Sequence, residues 1–233
     1  MKQFIYRPGK RWLFVVFTSV LGACVAPQPA AVRTYDLGVP RAAAQSTIQL
    51  DAPITIPPVS APSWLQGSAL VYRLAYAVPP YPQVYSLSRW IAAPGDLITL
   101  RLRDAVAAAN TNFTLTSTAA NPTGYVLEVT LEEFTHEFES PTSSRCIVQL
   151  RATLLDRSAG LIVAQKTLRA EQQAPSPDAA GGVRGLIAAT DTVIDGLLVW
   201  LESHPGTDRA TGVPARPFNA PTLSDGTRRT GIN

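Results

Sequence analysis

The sequence predicts a single α+β domain in which two α-helices pack on one face of an antiparallel β-sheet. Three observations lead to this fold class. Apolar and polar residues alternate along three consecutive stretches between residues 124 and 170, a pattern typical of half-buried strands. The connections between these stretches have the length of hairpin loops. A long amphipathic pattern over 177–203 predicts a helix that covers the sheet.

The elements before these three strands are shorter. Apolar and β-branched runs predict strands over 47–50, 53–56, 68–76 and 84–87. Pro79-Pro80-Tyr81-Pro82 predicts a turn, so the last two strands form a hairpin with aromatic residues near its tip. Ala93-Pro94-Gly95-Asp96 suits a helix start, and that helix extends to Ala109. A further short strand is predicted over 113–116.

The clearest strand pattern runs from Gly124 to Phe138. The alternation slips at Glu132-Glu133, and one extra residue in a strand is a bulge. Strands over 144–155 and 161–170 follow after short links. These three strands are therefore predicted to form an antiparallel meander, with Cys146 as a small buried residue on one face.

The first 23 residues have the features of an export signal. Four basic residues precede a short apolar run, which ends in Leu21-Gly22-Ala23-Cys24. The run is too short to span a membrane. Its end resembles the lipobox of bacterial lipoproteins, in which the cysteine thiol accepts lipid and becomes the first mature residue. An ordinary secretory signal is the alternative. The residue after the cysteine is Val25 rather than the aspartate that retains lipoproteins at the inner membrane, which favours the outer membrane.

Removing the signal changes the charge of the chain. The formal net charge is +3, and the four basic residues of the signal leave +3 − 4 = −1 for the remainder. The basic character therefore gives no argument for nucleic-acid binding. We predict a signal peptide over 1–23, a flexible tether over 24–33, one domain over 34–203 and a disordered tail over 204–233.

The sequence offers no convincing catalytic or metal site. His136 alternates with Phe134 and Phe138, and a surface or edge histidine is favoured over a metal ligand or an acid–base group. Four carboxylates lie nearby, which are Glu132, Glu133, Glu137 and Glu139. A carboxylate pair is able to perform acid–base catalysis, but a solvated strand face is the preferred interpretation. No nucleophile elbow, phosphate loop or zinc-protease pattern is present.

The aromatic residues suggest an interaction surface instead. Trp, Tyr and Arg are enriched at the energetic centres of protein interfaces. Eight such residues fall between positions 64 and 90, including Tyr76, Tyr81 and Tyr85. Five of the eight form the predicted partner-binding set: Trp64, Tyr72, Arg73, Arg89 and Trp90. The alternative is that they belong to the domain core.

The order of several short motifs resembles the ABC-type transport auxiliary lipoprotein family, which includes the lipoprotein of the paraquat-inducible, mammalian-cell-entry-type lipid transport system. Behind the lipobox, these motifs are Thr34-Tyr35-Asp36-Leu37-Gly38, Pro62-Ser63-Trp64-Leu65, Leu70-Val71-Tyr72-Arg73, Ser88-Arg89-Trp90 and Pro94-Gly95-Asp96-Leu97. The Pro-rich turn and the long C-terminal tail depart from the resemblance.

The resemblance implies a non-enzymatic lipoprotein at the periplasmic face of the outer membrane. Its partners would be an ABC permease and ATPase and a mammalian-cell-entry substrate-binding protein, and self-assembly into a homo-oligomer is plausible. No cofactor is expected apart from the covalent lipid on Cys24. Two other classes stay open, which are an assembly or chaperone lipoprotein of another outer-membrane machine and a hydrolase that uses the Glu132–Glu139 carboxylates.

Overall fold

The computed structural model describes residues 30–39, 48, 50, 53–109 and 124–204. The strands are β1 (Arg33–Tyr35), β2 (Ile54–Thr55), β3 (Ala69–Leu74), β4 (Pro82–Trp90), β5 (Tyr125–Ser140), β6 (Ser143–Asp156) and β7 (Leu161–Gln173). The helices are a 3-10 helix (Ser63–Leu65), α1 (Pro94–Ala109) and α2 (Ala179–Glu202). The predicted signal peptide, most of the tether, the strand over 113–116 and nearly all of the tail lie outside the described residues.

These seven strands form one mixed sheet. Its order is β1-β4-β3-β5-β6-β7, and β2 also pairs with β5. The β3–β4 hairpin and the β5–β6–β7 meander are antiparallel, as predicted. Three other pairs are parallel, namely β1 with β4, β2 with β5 and β3 with β5. The prediction of a purely antiparallel sheet was therefore wrong, because alternation along a strand does not encode the direction of a neighbour that is distant in the sequence.

The bulge predicted at Glu132-Glu133 is confirmed. Leu131 pairs with Leu150, but Glu133 pairs with Gln149, so the register of β5 against β6 shifts between them. Leu131 and Phe134 are consequently both buried. They are three residues apart, and an odd separation would place their side chains on opposite faces of a regular strand. The bulge thus keeps the apolar residues of both halves of β5 in the core.

Both helices contribute to one core. α2 packs on β5, β6 and β7, and α1 packs against α2. In β6, Cys146, Val148 and Leu150 are inaccessible to solvent and belong to the same core cluster as the buried residues of α1 and α2. The alternate residues of β6 include Arg145 and Arg151, which lie on the opposite face of the strand. One face of the sheet is therefore apolar and covered, and the other is polar.

Two glycines let the first turns of α2 approach the sheet closely. A Cβ atom on Gly182 would lie 2.4 Å from His136 Nδ1, and one on Gly185 would lie 2.5 Å from Cys146 Sγ. The Cys146 thiol also donates to the Gly182 carbonyl oxygen at 3.2 Å. The helix begins just after Asp178, whose carboxylate accepts a hydrogen bond from the Gly181 amide at 2.7 Å.

We expect Gly182→Ala to lower the free energy of unfolding by about 1–3 kcal/mol, because the added methyl group overfills the contact with His136. At an exposed helix position the same change would be stabilising by roughly 1 kcal/mol. Urea unfolding measures the effect. Gly196→Ala is the matched control in α2, since its Cβ would meet only Leu168 Cδ2, at 3.2 Å. Equal effects at the two positions would argue against close packing at Gly182.

Candidate functional site

The structure divides the predicted partner-binding set among different environments. Trp64 is 41% exposed on the 3-10 helix, and Arg89 is exposed on β4. Tyr72 and Arg73 are half-buried on β3. Trp90 is only 1% exposed. The five residues of the predicted set therefore do not form one continuous surface. Trp64 and Arg89 are the two members of the set that are exposed to solvent.

Trp90 is a core residue rather than a contact residue. Its ring packs against Phe134, with the ring centroids 5.5 Å apart. Its indole Nε1 is buried without a hydrogen-bond partner. Trp90 therefore has the environment of the alternative kept open for this set, which was the domain core.

Tyr72 and Arg73 lie on opposite faces of β3, as alternation requires. The Tyr72 hydroxyl donates to Gln83 Oε1 at 2.6 Å, and its ring lies 4.7 Å from the ring of Tyr85. Arg73 Nη1 instead contacts Glu133 Oε1 at 3.1 Å and Glu137 Oε2 at 3.3 Å. Tyr72 thus belongs to the covered side, and Arg73 belongs to a charged layer on the other side.

This charged layer pairs the acidic residues of β5 with arginines from the neighbouring strands. Arg145 on β6 contacts Glu137 at 2.7 Å and Glu139 at 3.3 Å. The other carboxylates are also paired, Glu132 with Arg151 and Glu133 with Arg73 and Arg169. The expectation of a merely solvated acidic face was wrong, because the basic partners come from strands that only the fold brings beside β5.

The layer continues to the edge strand. Arg169 contacts Glu133 and Glu171, each at 2.8 Å, and Arg145 contacts Glu171 at 3.4 Å. The hydrogen bond from Arg169 lowers the pKa of Glu171 despite its partial desolvation, with help from the charge of Arg145. The hydrogen bond to Glu137 raises the pKa of Arg145. Glu171 is therefore held in its charged form as an ion-pair partner of the two arginines.

His136 is buried in the core, so the expectation of a surface or edge histidine was wrong. Its Nδ1 lies 3.0 Å from the Tyr85 hydroxyl and its Nε2 lies 2.8 Å from Ser144 Oγ. Burial lowers the pKa of His136 to about 4, although the charge of Asp178 acts in the opposite direction. The imidazole is therefore neutral at pH 7, and both of its nitrogens already have partners beneath α2.

The described residues were also compared with the requirements of a metal site, a reactive thiol and a membrane-spanning helix. Nowhere in residues 30–39, 48, 50, 53–109 and 124–204 do three or more His, Cys, Asp or Glu side chains gather as a possible metal site. Cys146 is a free, buried thiol, and its burial raises its pKa to about 12. No helix in the part of the chain that the structure describes is long and apolar enough to cross a bilayer.

Comparison with known proteins decides the family. The model of the family described as "ABC-type transport auxiliary lipoprotein component" matches residues 35–197. The chain belongs to this family. Among curated proteins, none matches the chain.

Two solved structures share the fold of this auxiliary lipoprotein. One is protein XCC0632 from Xanthomonas campestris, with 18% identity, a TM-score of 0.63, and coverage of 78% of this chain and 97% of that chain. The other is a crystal structure of an uncharacterized protein, with 11% identity, a TM-score of 0.57, and coverage of 73% of this chain and 99% of that chain. At these identities the likeness shows a common fold alone.

In the auxiliary lipoprotein, the segment Thr34–Gly38 ends β1 and continues into a turn at residues 36–38. The Gly38 amide donates to Asp36 Oδ1 at 2.8 Å, and Gly38 has a φ of +69°, which favours glycine. This turn borders an open cleft of about 390 Å³ that Ile91, Val183 and Ile187 also line. The turn therefore lies on the same cleft as the N-terminal part of α2.

Arg101 fastens this turn to both helices, and sequence reasoning missed its role. Its Nη1 donates to the Leu37 carbonyl oxygen at 2.6 Å and its Nη2 contacts Asp191 Oδ1 at 2.7 Å. The side chain is only 5% exposed, although it belongs to a strongly polar residue type. The sequence contained a weak signal, because Arg101 follows Leu97 and Ile98 at helical spacing on the inward side of α1.

Proposed function

We propose that this auxiliary lipoprotein is anchored by lipid on Cys24 at the periplasmic face of the outer membrane and docks a mammalian-cell-entry-type ABC lipid transporter without catalysing a reaction itself. The observation that carries the proposal is the family match over 35–197 directly behind the lipobox Leu21-Gly22-Ala23-Cys24. Its partners are the permease and ATPase and the mammalian-cell-entry substrate-binding protein. Val25 supports the outer membrane over the inner membrane.

The chemistry of the domain supports docking over turnover. The acidic run that a hydrolase would use is tied to arginines, and His136 is buried with both ring nitrogens hydrogen-bonded. ATP hydrolysis would therefore be the task of the ATPase. The lipid on Cys24 is the one covalent group that the proposal requires.

The docking contact is assigned to the accessible part of the predicted partner-binding set, Trp64 and Arg89. Ala69 pairs with Arg89 where β3 begins and β4 ends, and the 3-10 helix that carries Trp64 ends just before β3. Both residues thus lie toward the end of the sheet that is opposite the β3–β4 hairpin turn. A partly exposed tryptophan and an exposed arginine are residue types that are enriched at the centres of interfaces.

The anchor is tested by replacing each cysteine in turn. Cys24→Ala should abolish incorporation of an alkynyl fatty acid into the protein in growing cells, because the acceptor thiol is gone. Cys146→Ala is the matched control and should keep the label, since Cys146 is buried in the folded domain. In-gel detection of the alkyne measures the result. Full labelling of the Cys24→Ala protein would refute the anchor.

The docking contact is tested by co-purification with the transporter. We expect the double variant Trp64→Ala, Arg89→Ala to retain its fold and to bind the permease complex at least about tenfold more weakly, as loss of interface anchors commonly does. The control is Leu161→Ala, Lys166→Ala, which removes an exposed apolar and an exposed basic residue on β7 at the far edge of the sheet. Full binding by the first variant would move the contact elsewhere.

A further inference from the structure

The turn of the β3–β4 hairpin presents an uncharged apolar tip. Tyr76 is 49% exposed, Val78 is 96% exposed and Tyr81 is 56% exposed. No charged residue occurs between Arg73 and Arg89. Large apolar side chains on soluble domains are normally scattered, so three of them on one turn without any charge indicate a surface that is covered in use.

The tip is supported by a well-packed base. The Ala75 amide donates to the Phe138 carbonyl oxygen at 2.9 Å, and the Ala77 amide donates to the Leu74 carbonyl oxygen at 3.1 Å. The rings of Tyr72 and Tyr85 lie in contact at the base of the hairpin. The exposed side chains therefore project from a part of the sheet that has its own hydrogen bonds and packing.

The pairing of β1 with β4 gives the direction of the first strand. β1 runs parallel to β4, with Arg33 opposite Ser88. Because β4 begins at the hairpin turn, with Pro82, the chain enters β1 from the hairpin end. Arg33 itself lies level with Ser88, near the end of the sheet that carries Arg89, and β1 runs away from the hairpin turn.

The lengths agree with this placement. Nine peptide steps separate Cys24 from Arg33 (33 − 24), which span at most about 30 Å. Six residue steps separate Ser88 from Pro82 (88 − 82), or about 20 Å along β4. The segment between Cys24 and Arg33 is therefore long enough to allow a lipid on Cys24 and the tip to meet the same bilayer surface.

We propose that the tip formed by Tyr76, Val78 and Tyr81 inserts into the interfacial layer of the bilayer that holds the Cys24 lipid. This inference rests on the lipid anchor of the proposed function. Tyrosine suits the boundary between headgroups and acyl chains because its ring is apolar and its hydroxyl is polar. Insertion would direct the opposite end of the sheet, with Trp64 and Arg89, away from the membrane toward the transporter.

The test places a fluorescent probe on the tip. The lipidated full chain carrying Val78→Cys is purified from membranes, labelled with an environment-sensitive maleimide dye and reconstituted into phosphatidylcholine–phosphatidylethanolamine vesicles that contain a shallow nitroxide-labelled lipid. Cys146 is buried and Cys24 is acylated in the proposed anchor, so labelling is confined to the new thiol. The matched control is Leu161→Cys, which is also exposed but lies at the end of the sheet away from the hairpin.

Vesicles with bound protein are first separated by flotation. In these vesicles we expect the probe at Val78 to be quenched several-fold more strongly than the probe at Leu161. Equal quenching in floating vesicles would overturn the tip contact and leave the anchor intact. Failure of the protein to float would overturn both. Exposure of the Val78 probe in vesicles combined with shielding in native envelopes would also overturn the inference, because a protein would then cover the tip.

Discussion

Replacing Arg101 with alanine should lower the free energy of unfolding by about 3–5 kcal/mol, the typical cost of breaking a buried ion pair. The change leaves Asp191 without its cation and the Leu37 carbonyl oxygen without its donor. It also releases the turn that follows β1 from both helices. Denaturant unfolding followed by tryptophan fluorescence measures the loss.

Arg103→Ala is the control in the same helix. Arg103 is half-buried and donates to the Ile56 carbonyl oxygen at 2.7 and 3.1 Å, so its loss should cost about 1 kcal/mol. The double variant Arg101→Met, Asp191→Leu should recover most of the stability, because it removes both charges together. A loss at Arg101 no larger than that at Arg103 would show that the pair does not hold the turn.

Acidification from pH 7 to pH 4 should lower the free energy of unfolding by up to about 3 kcal/mol through His136. Its pKa is about 4 in the folded protein and its ordinary value is 6.5. Between these values the unfolded chain binds more protons than the folded protein. The stability that the neutral imidazole contributes is therefore complete above pH 6.5 and is lost as the pH falls toward 4.

His136→Gln separates this effect from that of the carboxylates. Glutamine still hydrogen-bonds but does not titrate, so the variant should show a flatter dependence between pH 6.5 and 4.5. Asp178 faces the site, and its pKa is lowered first by the Gly181 amide, so its contribution is lost only at more acidic pH. Cys146 and Tyr85, the other nearby titratable groups, have raised pKa values and remain neutral in this range. Identical slopes for the two proteins would contradict the assignment.

Local patterns were sufficient for much of the fold. The apolar stripe of α2 and the alternation in β5, including the bulge at Glu132-Glu133, follow from residues that are close in the sequence. The antiparallel meander was predictable because its links are short. The parallel pairing of β3 with β5 could not be predicted, because a strand and a helix lie between them in the sequence. The residues of a strand do not indicate which other strand it pairs with.

The site was predicted less well for a related reason. Arg73, Arg145 and Arg169 lie on three different strands, and only the sheet order places them beside the carboxylates of β5. The burial of His136 had a usable signal, since it alternates with Phe134 and Phe138 on the inward face. Trp90 had none, because an aromatic residue at the end of a strand is equally consistent with a core and with an interface.

The most direct test of docking to a mammalian-cell-entry-type transporter is photo-crosslinking in the native envelope. A benzophenone amino acid replaces Trp64, and replaces Lys166 in the control, and the captured proteins are identified by mass spectrometry. We expect adducts with the mammalian-cell-entry protein or its permease at Trp64 and few at Lys166. Adducts exclusively with components of another outer-membrane assembly machine would contradict the transport role and assign the lipoprotein to assembly.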